Sequence, residues 1–159
     1  LYARIVLSGI PQTGLEKAAE NNLTMRITYR DINGSSIDVS RLTQGTDFIA
    51  EVTVMNPSVL HYKDMALTHI FPSGWEIRNT RLYDIKSPQE ISTPTYQDYR
   101  DDKVLTYFNL PRGKSKTFIV QLNAAYLGRF YLPGIFCEAM YDNSINAVRE
   151  GQWVEVVLY

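Results

Sequence analysis

The chain of 159 residues is long enough for one domain with a single hydrophobic core. Its 16 Lys and Arg side chains nearly balance its 17 Asp and Glu side chains, for a net charge of −1, so charge gives no reason to expect nucleic acid as a partner. The apolar runs are far too short to cross a bilayer, which excludes direct membrane insertion by this segment.

The chain begins at Leu1 rather than methionine, and no basic-then-apolar leader precedes its first apolar stretch. We therefore expect it to be a piece of a longer protein, in which missing targeting signals say nothing about location. Residues 1–22 are predicted to form a short strand at 2–7 and a polar linker from the preceding region. Residues 23–159 are predicted to form the domain itself.

Alternating apolar and polar residues predict β-strands from residue 23 onward. The first runs from Leu23 to Tyr29 and the second from Phe48 to Met55, where Asn56-Pro57 ends it. Further strands are predicted at 65–71, 75–77, 103–110, 116–125, 128–132, 135–141 and 153–158, with a long surface loop at 84–98 and a turn at 142–144. Seven to nine short strands with regular turn signals indicate an all-β fold, an antiparallel β-sandwich.

Three carboxylates, Asp98, Asp101 and Asp102, lie beside Arg100. Such a group could ligate calcium or supply an acid/base pair, but the calcium-loop pattern with its central glycine and distal glutamate is absent. The favoured interpretation is a loop-to-strand junction in which carboxylates accept backbone N–H bonds and pair with Arg100. A hydrolase built on Asp101 and Asp102 is the least favoured hypothesis.

The remaining reactive residue types also lack the pattern of a site. His61 and His69 are the only histidines and have no Cys or acidic partner at zinc-ligand spacing. Cys137 alternates with Ile135 and Ala139, which predicts a small buried core residue rather than a nucleophile. We therefore predict no metal, no cofactor and no catalytic residue.

The aromatic residues allow two interpretations. They could form a platform for sugar rings or a peptide, or they could fill the core and its rim, which is the favoured interpretation. The residues concerned are Tyr96, Tyr99, Tyr107, Tyr126, Tyr131, Tyr141, Trp75 and Trp153. The ring of Trp153 is expected to be buried in its strand. Tyr141 is the expected exception, because it ends a strand just before a turn and can project toward another domain.

Five short motifs, taken in order, resemble the C-terminal end of bacterial alpha-2-macroglobulins, which are large secreted or periplasmic proteinase traps. They are I-F-P-S-G-W-E-I from Ile70, Y-Q-D-Y-R-D-D-K-V from Tyr96, G-R-F-Y-L-P-G from Gly128, C-E-A-M-Y from Cys137 and W-V-E-V-V from Trp153. The resemblance implies that residues 23–158 form the last macroglobulin-like domain, a β-sandwich following the thioester-bearing helical domain. Within the motifs, Trp75, Arg100, Asp101, Asp102 and Trp153 are expected to serve the structure.

In this family a proteinase cuts a bait segment, the molecule rearranges, and in many members a Cys–Gln thioester captures the attacker. The resemblance implies a non-catalytic domain that packs on the thioester-type domain and shields its bond from water, with Tyr141 as the lid and Met140 beside it. The implied partners are neighbouring domains of the parent chain and, through the whole parent, target proteinases. The implied location is the periplasm, cell envelope or exterior, with a possible lipoprotein anchor on the parent.

This sequence departs from the trapping pattern in two ways. It contains neither the thioester sequence Cys-x-x-Gln nor a recognisable bait segment, so the domain alone cannot inhibit by trapping. The alternative hypothesis is an adhesin-like β-sandwich module that binds carbohydrate or protein through its tyrosines.

Overall fold

The computed structural model describes residue 14 and residues 16–78 and 90–159. The described residues form thirteen β-strands and no helix. They are β1 Ala19–Asn21, β2 Thr24–Asp31, β3 Arg41–Thr43, β4 Asp47–Met55, β5 Tyr62–Ile70, β6 Trp75–Arg78, β7 Tyr96–Tyr99, β8 Lys103–Leu110, β9 Ser115–Ala124, β10 Gly128–Leu132, β11 Ile135–Ala139, β12 Asp142–Arg149 and β13 Gln152–Val157. None of the described segments is a helix able to cross a membrane.

The strands form three sheets. The largest has the order β1-β12-β11-β5-β8-β7, the second β2-β4-β9-β6, and the third β10-β13-β3. Every described strand pair is antiparallel except β13 with β3, which is parallel. The predicted all-β sandwich is therefore confirmed, although thirteen strands replace the expected seven to nine, because several are too short or too polar for alternation to mark them.

The core lies between the six-stranded sheet and the other two sheets. Alternation along β4 sends Phe48, Ala50, Val52 and Val54 to one face, and all four are buried. Val52 and Val54 pack with residues of β5, β8 and β11 in one cluster. Phe48 and Ala50 pack with residues of β3, β9 and β13 in a second cluster. The inner face of β4 thus runs through both halves of the core.

The chain joins the two main sheets near its described beginning. Asn22, at a φ of 54°, separates β1 in the six-stranded sheet from β2 in the four-stranded sheet. The guanidinium of Arg149 donates both to the carboxylate of Glu20 on β1 and to the carbonyl of Met25 on β2. This arginine ties the edge strand to the sandwich. The strand predicted at residues 2–7 lies outside the described residues.

Three predicted loops or turns are wrong. The polar linker predicted to run to residue 22 ends in the strand β1, which pairs with β12. The end of the loop predicted at 84–98 is the strand β7, which pairs with β8 so that Tyr96 stacks on Tyr107 at 6.0 Å between ring centroids; residues 84–89 lie outside the described residues. The turn predicted at 142–144 is the start of β12. All three strands are rich in polar residues, which hides them from an analysis of apolar alternation.

Candidate functional site

The most exposed side chains of the C-E-A-M-Y motif sit at a hairpin tip. Ala139 on β11 pairs directly with Asp142 on β12, so Met140 and Tyr141 are the two residues of the connecting loop. Tyr141 is 83% exposed and Met140 is 47% exposed. Tyr141 therefore lies within the turn itself, whereas the sequence predicted it at the end of the preceding strand. We call these two residues the hairpin tip.

The hairpin tip lacks ordinary turn chemistry. Two-residue hairpin loops favour positive φ, and hence Asn or Gly, because that twist matches the flanking strands. Among the described non-glycine residues only Asn22 and Asp64 have positive φ, so Met140 and Tyr141 do not. The strand β12 compensates for this turn with a bulge. Glu138 pairs with Asn146 while Ala139 pairs with Asp142, so residues 143–145 are left as the bulge.

A second bulge, in β5, holds the tip from the side. The register between β5 and β8 shifts between Tyr62 and Met65, and Asp64 within this bulge has a φ of 52°. The Asp64 carbonyl accepts a 2.9 Å hydrogen bond from the Met140 N–H, and the Asp64 N–H donates to Asn109 Oδ1 at 3.0 Å. Sequence reasoning missed these residues, because no local pattern marks a bulge whose function is to place another loop.

The acidic cluster forms the turn between β7 and β8. Arg100 Nε donates to Asp98 Oδ2 at 3.0 Å, and this hydrogen bond and the charge of Asp98 raise the pKa of Arg100. Asp101 and Asp102 lie exposed in the same turn. No group of three or more His, Cys, Asp or Glu side chains in the described residues could hold a metal ion. The geometry is that of a junction carrying one surface ion pair.

The two tryptophans occupy opposite environments. Trp75 is buried and meets the ring of Phe48 edge-on at 4.8 Å between centroids. Trp153 is 55% exposed, so the expectation that its ring is buried is wrong. The reason is the alternation along β13, where Val154 and Val156 point into the core and Trp153 therefore points outward. Its ring lies under the guanidinium of Arg129, whose Cζ is 4.8 Å from the ring centroid.

The cysteine and the two histidines differ in their exposure to solvent. Cys137 is buried, as predicted, and burial raises the pKa of its thiol to about 12. His69 is buried against Phe71, with ring centroids 4.1 Å apart, while His61 is exposed in a loop. Burial lowers the pKa of His69 to about 3, so its imidazole is neutral near pH 7. Cys137 and His69 lie on the paired strands β11 and β5, but both are buried, so neither is open to a substrate.

The tyrosines do not share a platform. Tyr141 lies at one end of the sandwich, while Tyr99 and Tyr126 line a groove of about 600 Å³ together with Glu76 and the β7–β8 turn. Tyr126 donates a 2.9 Å hydrogen bond to Glu76 Oε1. The exposed aromatic residues are therefore split between separate regions, and the hairpin tip stands out by the high exposure of its tyrosine.

Comparisons with known proteins agree with this architecture. The model of the family described as "Bacterial Alpha-2-macroglobulin MG10 domain" matches residues 23–143. The alpha-2-macroglobulin of Pasteurella multocida is 27% identical over 149 residues, covering 91% of this chain and 7% of that protein. This chain spans only 6–8% of the length of the curated relatives that it matches.

Two solved structures share the fold. Native alpha-2-macroglobulin of Escherichia coli, from domain MG7 to the C-terminus, superposes with a TM-score of 0.79 at 19% identity, covering 93% of this chain and 25% of that one. Salmonella alpha-2-macroglobulin reacted with methylamine superposes with a TM-score of 0.82 at 22% identity, covering 94% of this chain and 10% of that one.

Proposed function

Since this chain belongs to the MG10 domain family of bacterial alpha-2-macroglobulins, we propose that it is a non-catalytic C-terminal module of a proteinase trap. The module packs on the neighbouring thioester-type domain of its parent chain and shields the reactive bond from water. Tyr141 serves as the lid and Met140 lies beside it. Target proteinases are engaged by the whole parent protein, not by this domain alone.

The hairpin tip is the observation that supports this proposal. A two-residue loop normally carries small residues that permit a tight reversal, yet this one displays a tyrosine that is 83% exposed and a methionine that is 47% exposed. Exposed apolar side chains at a rigid turn are suited to contact with another surface. Residues that are unfavourable for a two-residue turn, and that bring no benefit to the fold, indicate that these two positions serve a function.

The chemistry of a lid follows from the properties of the two side chains. A thioester is lost when water or an amine reaches its carbonyl, so its lifetime depends on excluding both. The Tyr141 ring supplies a rigid apolar plate, and its hydroxyl can keep a hydrogen-bond partner at the rim. The flexible thioether of Met140 can fill the irregular gap beside it.

The relatives supply the context for the reactive bond. The Salmonella protein was solved after reaction with methylamine, a small amine of the kind that a thioester acylates. The thioester sequence Cys-x-x-Gln is absent from this chain. In our proposal that bond lies in another domain of the parent, which resides in the periplasm or cell envelope, where a lipoprotein anchor can hold it.

The test is the substitution Tyr141→Gly in the full-length parent protein. Removing the plate is expected to increase the rate of methylamine incorporation by about tenfold or more, equivalent to at least about 1.4 kcal/mol of lost protection. The isolated domain should fold with nearly unchanged stability, because the side chain is mostly exposed. Incorporation is measured by mass spectrometry of the modified peptide.

Tyr126→Gly is the matched control, because Tyr126 is also an exposed tyrosine but lines the groove at the other end of the sandwich. It is expected to leave the methylamine rate unchanged. Equal rates for Tyr141→Gly and the unmodified parent would contradict the lid. Absence of methylamine incorporation in every variant would contradict the thioester itself.

A further inference from the structure

A loop beside the hairpin tip is held rigidly by one buried amide. Asn56 follows β4 and is fully buried. Its Nδ2 donates to the carbonyls of Leu60 at 2.8 Å and Leu110 at 3.1 Å, while its Oδ1 accepts the Ser58 N–H at 2.8 Å. The Leu60 N–H donates in turn to Ser58 Oγ at 3.0 Å. Residues 56–60, which we call the Asn56 loop, are thus fixed by side-chain hydrogen bonds.

The Asn56 loop displays two aliphatic side chains to solvent. Val59 is 80% exposed and Leu60 is 65% exposed. Connecting loops are normally polar, and consecutive apolar residues exposed on one depart from that pattern. The hydrogen bonds that fix the loop come from Asn56, Ser58 and backbone groups, and neither aliphatic side chain takes part in them. A rigid loop also loses little conformational entropy when it binds.

The Asn56 loop and the hairpin tip lie at the same end of the sandwich. The loop leads directly into β5, whose first residue, Tyr62, pairs with Leu110. The carbonyl of Asp64, two residues further on, holds the tip through Met140. Leu60 and Asp64 are four residues apart, so their Cα atoms are separated by at most about 14 Å along an extended chain.

We propose that the Asn56 loop and the hairpin tip form one docking surface, occupied by another domain of the same parent polypeptide. Val59 and Leu60 would insert beside the contact made by Tyr141. This inference rests on the proposed function for the nature of the neighbouring domain, but it assigns a second, independent contact. It predicts that the two loops are covered together.

Two observations favour a domain of the parent as the occupant. The curated relatives are more than ten times longer than this chain, which spans 6–8% of their length, so a large part of the parent lies outside it. The exposed apolar side chains of the Asn56 loop also lie at the same end of the sandwich as the hairpin tip, which points toward that neighbour in the proposed function. Exposed apolar side chains gathered at one end of a domain are typical of an interface.

Photocrosslinking tests the contact without relying on thioester chemistry. The full-length parent is prepared with p-benzoylphenylalanine in place of Leu60 and, as a matched control, in place of Ile32. Ile32 is also an aliphatic residue, 54% exposed, but it lies at the opposite end of the sandwich. It follows Asp31, which pairs with Phe48, whereas the Asn56 loop follows Met55, which pairs with Thr24 at the other end of β2. The expected result is a crosslink from position 60 to a peptide of the parent outside this chain.

Two outcomes would overturn the proposal. A crosslink between two parent molecules, seen as a band of twice the mass, would assign the surface to a second copy. A yield at position 60 no higher than at position 32 would mean that nothing covers the loop. The lid is judged separately by the methylamine rate of Tyr141→Gly, so either proposal can fail while the other stands.

A labelling experiment tests whether the two loops are covered together. Asn143→Cys places a thiol in the exposed stretch just after the hairpin tip, while Cys137 stays buried. Adding Leu60→Asp in the full-length parent is expected to increase maleimide labelling of position 143 by about tenfold, as for loss of an interface anchor. Ile32→Asp should have no effect. Equal labelling in both backgrounds would refute a shared surface.

Discussion

At the residue scale, the direction of a side chain matters more than its type. Trp75 and Trp153 are both strand residues, yet Trp75 points into the core against Phe48 while Trp153 points away from it and packs under Arg129. A buried indole contributes through the apolar area that it removes from water. An exposed indole contributes mainly through local contacts such as the cation–π pair, which are weaker.

The two tryptophans should therefore respond differently to removal. Trp75→Ala is expected to lower the free energy of unfolding by about 3–5 kcal/mol, because it leaves a cavity. Trp153→Ala is expected to lower it by only about 1 kcal/mol, the size of an exposed cation–π contact. Urea unfolding of the isolated domain, followed by circular dichroism, measures both. A loss for Trp153→Ala as large as that for Trp75→Ala would contradict the outward orientation of Trp153.

His69 is a titratable group placed where its charged form is disfavoured. Its Nε2 has no hydrogen-bond partner in the described part of the chain, and burial lowers its pKa to about 3 from the ordinary 6.5. The unfolded state therefore binds a proton between about pH 6.5 and pH 3, while the folded state does not. Since protonation favours the unfolded chain, stability contributed at neutral pH is lost as the pH falls through this range.

Replacing this imidazole should remove that part of the pH dependence. Between pH 6.5 and pH 5 the free energy of unfolding of the unmodified domain should fall by roughly 1.6 kcal/mol more than that of His69→Phe. Phenylalanine can keep the ring contact with Phe71. Urea unfolding at both pH values checks the difference. Parallel pH curves for the two proteins would show that the buried histidine does not control acid sensitivity.

At the element scale, two bulges build the hairpin tip. The bulge in β12 accommodates a turn without positive φ, and the bulge in β5 supplies the carbonyl that holds Met140. Asp64 is one of the two residues of the second bulge, at a φ of 52°. Aspartate tolerates this left-handed region better than most residues, and β-branched residues tolerate it poorly.

Substitutions at Asp64 should follow this conformational rule. Asp64→Gly is expected to keep the stability of the domain within about 0.5 kcal/mol, because glycine adopts positive φ freely. Asp64→Val is expected to cost about 1–2 kcal/mol and to speed hydrogen exchange of the Met140 amide. Lys63→Val, at the neighbouring exposed position without positive φ, is the control. The idea fails if valine is tolerated equally at 63 and 64.

Alternation made most of the fold predictable. Strands β2, β4, β8 and β10 lie close to their predicted positions. Each either alternates between an apolar and a polar face or is a short strand sequence bounded by clear turn residues. The edge strand β7 and the polar strand β12 were missed. Their pairing is decided by neighbours far away in the chain, such as β8 for β7, and such pairing leaves no local pattern.

The site was predictable only in part. The resemblance of C-E-A-M-Y singled out Met140 and Tyr141, and the structure places both at an exposed tip. The turn residues Asp142 to Ser144 suggested a reversal two positions too late, because they are favourable turn formers, of which Asn143 and Ser144 here lie in the bulge. The roles of Asp64 and Asn56 depend on tertiary contacts, and single-sequence reasoning had no means of finding them.

At the scale of the whole molecule, the two core clusters are joined through shared strands. Along β4, Val52 and Val54 belong to the first cluster, while Phe48 and Ala50 belong to the second. Strand β9 repeats this arrangement with Phe118 and Val120. Neither cluster can lose its packing without disturbing the central strands that support the other. We therefore expect the domain to unfold as one cooperative unit.

Cavities placed in either cluster should move a single transition. Val54→Ala lies in the first cluster and Val120→Ala in the second, and each is expected to lower the free energy of unfolding by about 2 kcal/mol. In a Trp153→Phe background, the fluorescence of Trp75 reports on the second cluster and circular dichroism on all strands. Coincident transitions for both probes in both variants are expected. If Val54→Ala shifted the circular dichroism curve but left the Trp75 curve in place, the clusters would be separate folding units, and a docking end built on the first could open without the rest of the domain.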